Sequence, residues 1–195
     1  MGAILQPRSM SAEQYVELGY YPLNQTKKIE IESLTTHTEA SFLTDDLNGH
    51  CSLLFFGYSY CPDVCPTTLS VLNRVARELS APGSADQAQI IMVTVDPDRD
   101  TAAQLAAYVP YFNPAFIGVT GEIDAILNLT SQLNIGFEKV SAPDRDPEST
   151  DAGSYEVAHS TQIAVVNPHG YYTGMLTAPH QPERIVKVLT SLMGE

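Results

Sequence analysis

The sequence predicts an α/β fold: a central mixed β-sheet flanked by helices. Two continuous apolar runs, Leu53-Leu54-Phe55-Phe56-Gly57-Tyr58 and Ile90-Ile91-Met92-Val93-Thr94-Val95, read as strands buried on both faces. Between them Leu69, Leu72, Ala76 and Leu79 recur at spacings of three and four, the stripe of an amphipathic helix. Strand, helix and strand in this order imply a parallel pair with a right-handed crossover. Near the end, two apolar runs around Asn167-Pro168-His169-Gly170 signal a hairpin.

The elements follow in chain order. Residues 1–28 are mixed, with Pro7, Pro22 and the tyrosines Tyr15, Tyr20 and Tyr21, and read as an N-terminal arm packed on a domain spanning 29–195. Ile29, Ile31 and Leu34 point to a short edge strand. After the first buried strand, Pro66 opens the helix, since the first turn needs no proline N–H, and Ala81-Pro82-Gly83-Ser84 ends it. The turn at 96–101 leads into a helix over about 101–108, and a short strand is expected at 116–119. Residues 121–133 read as a helix with Ile123, Ile126, Leu127 and Leu133 as apolar members, and 135–140 as a strand. Residues 141–154 carry Pro, Asp, Ser and Gly and look like an exposed loop. The hairpin strands cover 162–166 and 171–176, and a helix over 182–193 turns Ile185, Val188, Leu189 and Leu192 inward. This is the layout of a thioredoxin-like fold with an insertion between 100 and 140 and a C-terminal hairpin plus helix.

Composition excludes several function classes. With 195 residues, the chain can bury a core that needs no staples. Hydrophobic residues at 44% and charged residues at 17% argue against disorder. The 23 acidic against 10 basic side chains give a net charge of −13, which repels phosphate backbones, so no nucleic-acid partner is expected. No apolar run reaches the roughly 18 residues of a membrane span. The first residues lack the basic start and apolar run of a signal peptide. Three cysteines are too few for a disulfide framework, and two of them stand close together, which reads as redox or metal chemistry.

That pair lies in Tyr60-Cys61-Pro62-Asp63-Val64-Cys65-Pro66, at the carboxyl end of a buried strand where it enters a helix. Ligands bind at this end of open α/β sheets. A helix N-terminus offers unpaired N–H groups and a positive dipole end, both of which favour thiolate. Four residues of helix rise about 6 Å, within the roughly 4.4–6.8 Å between Cα atoms that a disulfide tolerates. The same sulfurs could instead clamp one soft metal ion. The spacing is Cys-x3-Cys rather than the Cys-x2-Cys of thioredoxin redox motifs, which moves weight toward metal. The plain alternative is two core cysteines.

A metal needs a third ligand. His169 sits in the hairpin turn and reads as exposed; His180, between Pro179 and Gln181, reads as solvated or helping a cap; His37 and His50 lie in polar segments. His159, in Val157-Ala158-His159-Ser160-Thr161-Gln162, stands just before a strand. If that strand runs antiparallel to the central ones, His159 faces the Cys61/Cys65 corner. Two thiolates and an imidazole suit copper and could also hold Zn(II). Asp96, Asp98 and Asp100 emerge at the same sheet edge, either as a helix cap with solvated acids or as polar support for the site. Cys51 reads as a strand-start cysteine.

Three motifs together resemble the Sco/SenC family of thioredoxin-like, copper-binding assembly factors. They are Phe56-Gly57-Tyr58-Ser59-Tyr60-Cys61-Pro62-Asp63-Val64-Cys65-Pro66, Val95-Asp96-Pro97-Asp98-Arg99-Asp100-Thr101, and His159-Ser160-Thr161 followed by a short strand and Asn167-Pro168-His169-Gly170. The resemblance spans about 29–193. It implies copper ligation by Cys61, Cys65 and His159, and delivery of copper or reducing equivalents to the CuA centre in subunit II of cytochrome c oxidase. It also implies a place on the periplasmic side of the bacterial inner membrane, tethered by an anchor that this chain does not carry. Where the family usually has an acidic residue just before its histidine, this sequence has Ala158. Two other functions stay open. One is a thiol–disulfide oxidoreductase, in which Cys61 and Cys65 are the catalytic pair, Cys61 attacking, with His159 dispensable. The other is a copper or redox sensor that acts by docking.

Overall fold

The computed structural model describes residues 10–79, 88–141 and 155–194. The helix stop expected at 81–84 lies outside the described residues, as does the loop expected over 141–154 apart from Ser141. The chain runs α1 (Ala12–Glu17), β1 (Tyr20–Lys28), β2 (Leu34–Thr36), β3 (Ser41–Phe42), a 3₁₀ turn (Thr44–Leu47) and β4 (Cys51–Gly57). It continues through α2 (Val64–Leu79), β5 (Ala88–Thr94), α3 (Ala102–Phe112), β6 (Ile117–Gly121) and α4 (Ile123–Gln132). It ends with β7 (Phe137–Ser141), β8 (Tyr155–His159), β9 (Ile163–Val166), β10 (Tyr171–Leu176) and α5 (Pro182–Met193).

Eight strands form one sheet in the order β1-β10-β9-β4-β5-β6-β2-β3. The centre is parallel, with β4 beside β5 and β5 beside β6, and β9 lies antiparallel on the other flank of β4. Every residue of β4 is buried, as the unbroken apolar run requires. Sequestering a side chain such as Phe55, Phe56 or Leu54 is worth about 1.5–3 kcal/mol each, so this strand anchors the core. Among the described residues β7 and β8 pair only with each other, as a separate two-stranded ribbon.

The helices pack their apolar stripes on this sheet. In α2 the buried face is Cys65, Thr68, Leu69, Leu72, Val75 and Leu79. Val75 joins this face and Ala76 packs partly buried against the core, while the helix starts at Val64 rather than Pro66. Asp63 supplies the entry: its carbonyl accepts the Thr67 N–H at 3.2 Å. Pro66 still lies in the first turn, where no intrahelical N–H partner is lost. Thr101 caps α3, its side chain accepting the Gln104 N–H at 3.2 Å. That helix runs past its expected end to Phe112 with Pro110 in its last turn. In α4, Ile126, Leu129 and Thr130 are buried, while the apolar members Ile123 and Leu127 are exposed. In α5, Ile185, Val188 and Leu189 point inward, and Pro182 is the first helical residue.

One further expectation changes. Ile29 and Ile31 are buried but stand outside any strand. The Ile31 N–H is taken by the Thr44 hydroxyl at 2.7 Å, which replaces a ladder bond. The strand there is Leu34–Thr36, paired with β6 and β3. His159 stands just before β9, as expected, and is also the last residue of a strand that the sequence did not signal, β8. Upstream, β1 lies antiparallel to β10, with a register shift after Pro22. The Tyr15 and Ser191 hydroxyls, 3.0 Å apart, join α1 to α5. The hairpin turns at Gly170, whose φ of +76° is the left-handed conformation that glycine accepts at no steric cost. Among the described residues no helix is long and apolar enough to cross a membrane.

Candidate metal centre

β4 ends at Gly57, and the chain turns through 58–63 before α2 begins. The Cys61 N–H closes this turn on the Tyr58 carbonyl at 3.2 Å. Cys61 therefore sits in the loop, partly exposed, while Cys65 lies fully buried in the first turn of α2. The Cys65 N–H, one of the helix's unpaired donors, points to Cys61 Sγ at 3.4 Å.

His159 reaches the same corner from β8. Because β9 is antiparallel to β4, pairing Ile163 with Phe55, the segment before β9 lies beside the carboxyl end of β4. The imidazole packs edge-on against Tyr58 and Phe55, with ring centroids 5.9 and 6.3 Å away. Its Nδ1 is 3.0 Å from the Ser160 carbonyl. A carbonyl only accepts, so Nδ1 donates there and Nε2 is the ring nitrogen turned to the cysteines. Nε2 lies 3.5 Å from Cys65 Sγ. One ligand atom from each of Cys61, Cys65 and His159 lies within 4.8 Å of the other two, the only such cluster of His, Cys, Asp or Glu among the described residues.

The two thiols are electrostatically unlike. The Cys65 thiol donates to Cys61 sulfur, and His159 and the Cys65 and Asp63 backbone contacts add to this; Cys61 is held far below the ordinary thiol range. Cys65 is driven the other way, first because Cys61 holds its proton in place and then by burial. One thiolate and one thiol thus share a proton. Alkylation of the reduced protein at pH 6 is expected to modify Cys61 rapidly and Cys65 and Cys51 hardly at all. An unperturbed thiol near 8.5 would be roughly 0.3% thiolate there. Mass spectrometry across pH 5–9 checks this; a Cys61 rate rising tenfold per pH unit through that range would contradict it. Cys51, buried and pushed up to about 12 by desolvation, is a strand-start core residue.

Gly57 makes room for this arrangement. A Cβ there would lie 2.8 Å from Cys65 Sγ and 2.8 Å from the Phe55 ring. Gly57→Ala is therefore expected to displace the sulfur and cost about 1–3 kcal/mol of stability by overpacking, read from urea midpoints. Unchanged stability would mean that the corner is loosely packed.

Two of the three acids of the 96–101 turn are not solvated. Asp96 and Asp100 are fully buried, and only Asp98 is exposed, facing Lys139 at 2.5 Å. Asp100 accepts from the Ser59 N–H at 2.9 Å, the Ser59 hydroxyl at 2.5 Å and the Thr94 hydroxyl at 2.7 Å, so it braces the turn that carries Cys61. The other histidines serve elsewhere. His37 Nδ1 accepts the Gly118 N–H at 3.0 Å, and His169 is exposed in its turn. His180 is half-buried rather than solvated, and its Nε2–H donates to the Thr161 carbonyl at 2.8 Å; desolvation lowers its pKa. A shallow groove of about 250 Å³ opens on Cys61 and His159, rimmed by Pro62, Asp63, Val64 and Glu156. Ala158, also on this groove, is exposed. Sequence patterns missed Tyr155 and the role of Arg99, whose guanidinium packs on the Tyr58 and Tyr155 rings; the turn motif holding Arg99 was the available signal.

The SCO1/SenC family profile matches residues 24–194. A Stutzerimonas stutzeri protein named for copper binding is 35% identical over 160 residues, 82% of this chain and 74% of that one. The mitochondrial protein SCO2 homolog of Bos taurus is 33% identical over 153 residues, 78% of this chain but 55% of that protein. The chain thus spans little more than half the length of the bovine relative. Copper-bound Bradyrhizobium japonicum ScoI matches with a TM-score of 0.72 at 28% identity, over 85% of this chain and 99% of that one. Copper-bound yeast Sco1 matches at 0.74 and 26%, over 86% and 89%. Fold and site together define a thioredoxin-like thiol protein whose dithiol corner is joined by an imidazole. The chain belongs to the SCO1/SenC family.

Proposed function

We propose that the protein is a copper metallochaperone, carrying copper as cargo on Cys61, Cys65 and His159. The observation that carries this reading is the convergence of three soft donors within 4.8 Å at the end of a groove. The donor set suits copper, and zinc less selectively. The 3.5 Å between Cys65 Sγ and His159 Nε2 is what two ligands on one ion span at bond lengths of about 2.3 and 2.0 Å and a near-tetrahedral angle. The groove leaves the cargo reachable, so a client's ligands can replace this protein's one at a time. The name of the bacterial relative and the copper bound in the yeast structure support the same cargo.

The clients on this reading are copper- or thiol-bearing proteins, and subunit II of cytochrome c oxidase, with its CuA site, is the specific one. The place is the periplasmic face of the inner membrane, with the domain tethered. Loading is redox-gated: two thiols that lose two electrons and two protons to an oxidant disulfide become a Cys61–Cys65 disulfide, which has no thiolate left to bind copper.

Copper titration of the reduced protein tests the proposal. One copper per chain is expected, with a sulfur-to-copper charge-transfer band that is lost or shifted in His159→Ala. A variant that binds Cu(II) like the parent would remove His159 from the ligand set. The stabilised Cys61 thiolate favours a second reading, a thiol–disulfide oxidoreductase. Absence of stoichiometric copper, together with metal-free turnover of a disulfide substrate, would establish that reading instead.

A further inference from the structure

His159 is presented by a ribbon that the main sheet does not hold. β8 pairs only with β7, so no backbone ladder among the described residues fixes its height above the cysteines. On the carboxyl side the chain is fastened by Ser160 N–H to the Gly136 carbonyl at 3.1 Å and by His180 to Thr161. On the amino side the fastening is by side chains. Tyr58 accepts the Val157 N–H at 3.3 Å. Arg99 Nη1 donates to the Tyr155 carbonyl at 3.1 Å, and its guanidinium lies over the Tyr155 ring, 3.8 Å from the centroid. The Tyr155 hydroxyl donates to one Asp96 oxygen and Arg99 Nε donates to the other. Asp96 is fully buried and Arg99 nearly so. Tyr58 and Tyr60 complete the surround, with Arg99 5.6 and 5.0 Å from their ring centroids. Lys139 of β7 reaches the same loop through Asp98.

We propose that Asp96, Arg99 and Tyr155 form a clamp that positions His159 over the two cysteines, a role that rests on the copper reading only for its consequence in binding. Asp96 and Arg99 pair within the loop after β5, and each bonds Tyr155 at the start of β8, so these two hydrogen bonds join the rigid sheet to the ribbon. A buried carboxylate bonded to both a guanidinium and a phenol admits few alternative geometries, because losing one partner leaves a buried charge uncompensated. Tyr58 makes the clamp and the site one unit: its ring contacts the His159 imidazole and the Arg99 guanidinium, and its hydroxyl holds Val157. The clamp residues are positioning residues. None of them belongs to the donor cluster.

The test uses Arg99→Gln and Tyr155→Phe, the second removing one hydroxyl and keeping the ring should the first fold poorly, with Arg99→Lys as the conservative control. In the metal-free reduced protein, amide hydrogen exchange in β8 is expected to quicken at least tenfold in Arg99→Gln, while β9 and β10 keep parental rates. Arg99→Lys should restore part of the protection. Copper affinity is then measured for each variant in the parental and the His159→Ala backgrounds. A clamp acting through His159 weakens binding about tenfold in the parental background and less than twofold without the imidazole. Equal weakening in both backgrounds, unchanged exchange in β8, or faster exchange throughout the sheet would each overturn the proposal. If no protein in the series binds copper, the cargo reading fails, and the exchange data still decide the clamp.

Discussion

Cys65→Ser is expected to abolish stoichiometric copper binding and leave the protein folded. Cys65 is fully buried in the first turn of α2, with its sulfur 3.5 Å from His159 Nε2 and facing Cys61. A serine fits the space and its hydroxyl can donate to the imidazole, so the fold should lose no more than about 1–2 kcal/mol. The donor chemistry changes far more. A buried hydroxyl is a hard ligand that stays protonated at neutral pH, whereas a thiol gives up its proton to a soft ion. Two soft ligands remain, Cys61 and His159, and the chelate through the helix turn that joined the sulfurs is lost. The charge-transfer band should vanish, with far-UV circular dichroism and urea midpoint near the parental values. The paired variant Cys51→Ser should keep the band, because Cys51 lies at the opposite end of β4. Retention of one tightly held copper by Cys65→Ser would show that Cys61 and His159 suffice.

Asp100→Ala carries the largest expected loss of stability. Its carboxylate accepts three hydrogen bonds in a fully buried position, two from Ser59 and one from Thr94. Alanine strands those donors without water, at about 1–3 kcal/mol for each that finds no new partner, so a loss of about 3 kcal/mol is expected. The damage reaches the site, because Ser59 begins the turn that carries Cys61. Burial raises the Asp100 pKa in spite of these bonds. The native state then binds a proton at Asp100 more tightly than the unfolded chain does. The stability that Asp100 supplies is fullest below its unfolded value, about 3.9, and shrinks as pH rises through the native one. The cost of Asp100→Ala should therefore be greater at pH 4 than at pH 7. Urea unfolding of both proteins at the two pH values decides it, and a cost that grows with pH would show that the hydrogen bonds outweigh desolvation.

Patterns that act over short stretches of chain were legible without coordinates. The apolar runs of β4 and β5 marked strands covered on both faces, and the stripe of α2 marked the helix between them. The turn at Asn167–Gly170 announced its hairpin through residue types that such turns demand. The Cys61/Cys65 corner was equally local, since a strand ending at a helix start places both thiols within one turn. Less local matters were not legible. Nothing in the apolar spacing of α4 tells that Ile123 and Leu127 face solvent, because it does not say which face the sheet will cover. The strand Tyr155–His159 went unseen because its short, half-exposed pattern carries little periodicity.

The sequence by itself determined the α/β class, the buried parallel strands and the pairing of two thiols at a helix entrance, because each depends on residues that are neighbours along the chain. Only the tertiary structure decided that His159 stands 3.5 Å from Cys65, that Asp100 is buried beneath the loop, and that Asp96, Arg99 and Tyr155 hold β8. Cys65 and His159 are 94 residues apart, and Arg99 and Tyr155 are 56 apart. Such contacts depend on strand order and on the height at which a ribbon settles, and those are set by the packing of the whole core.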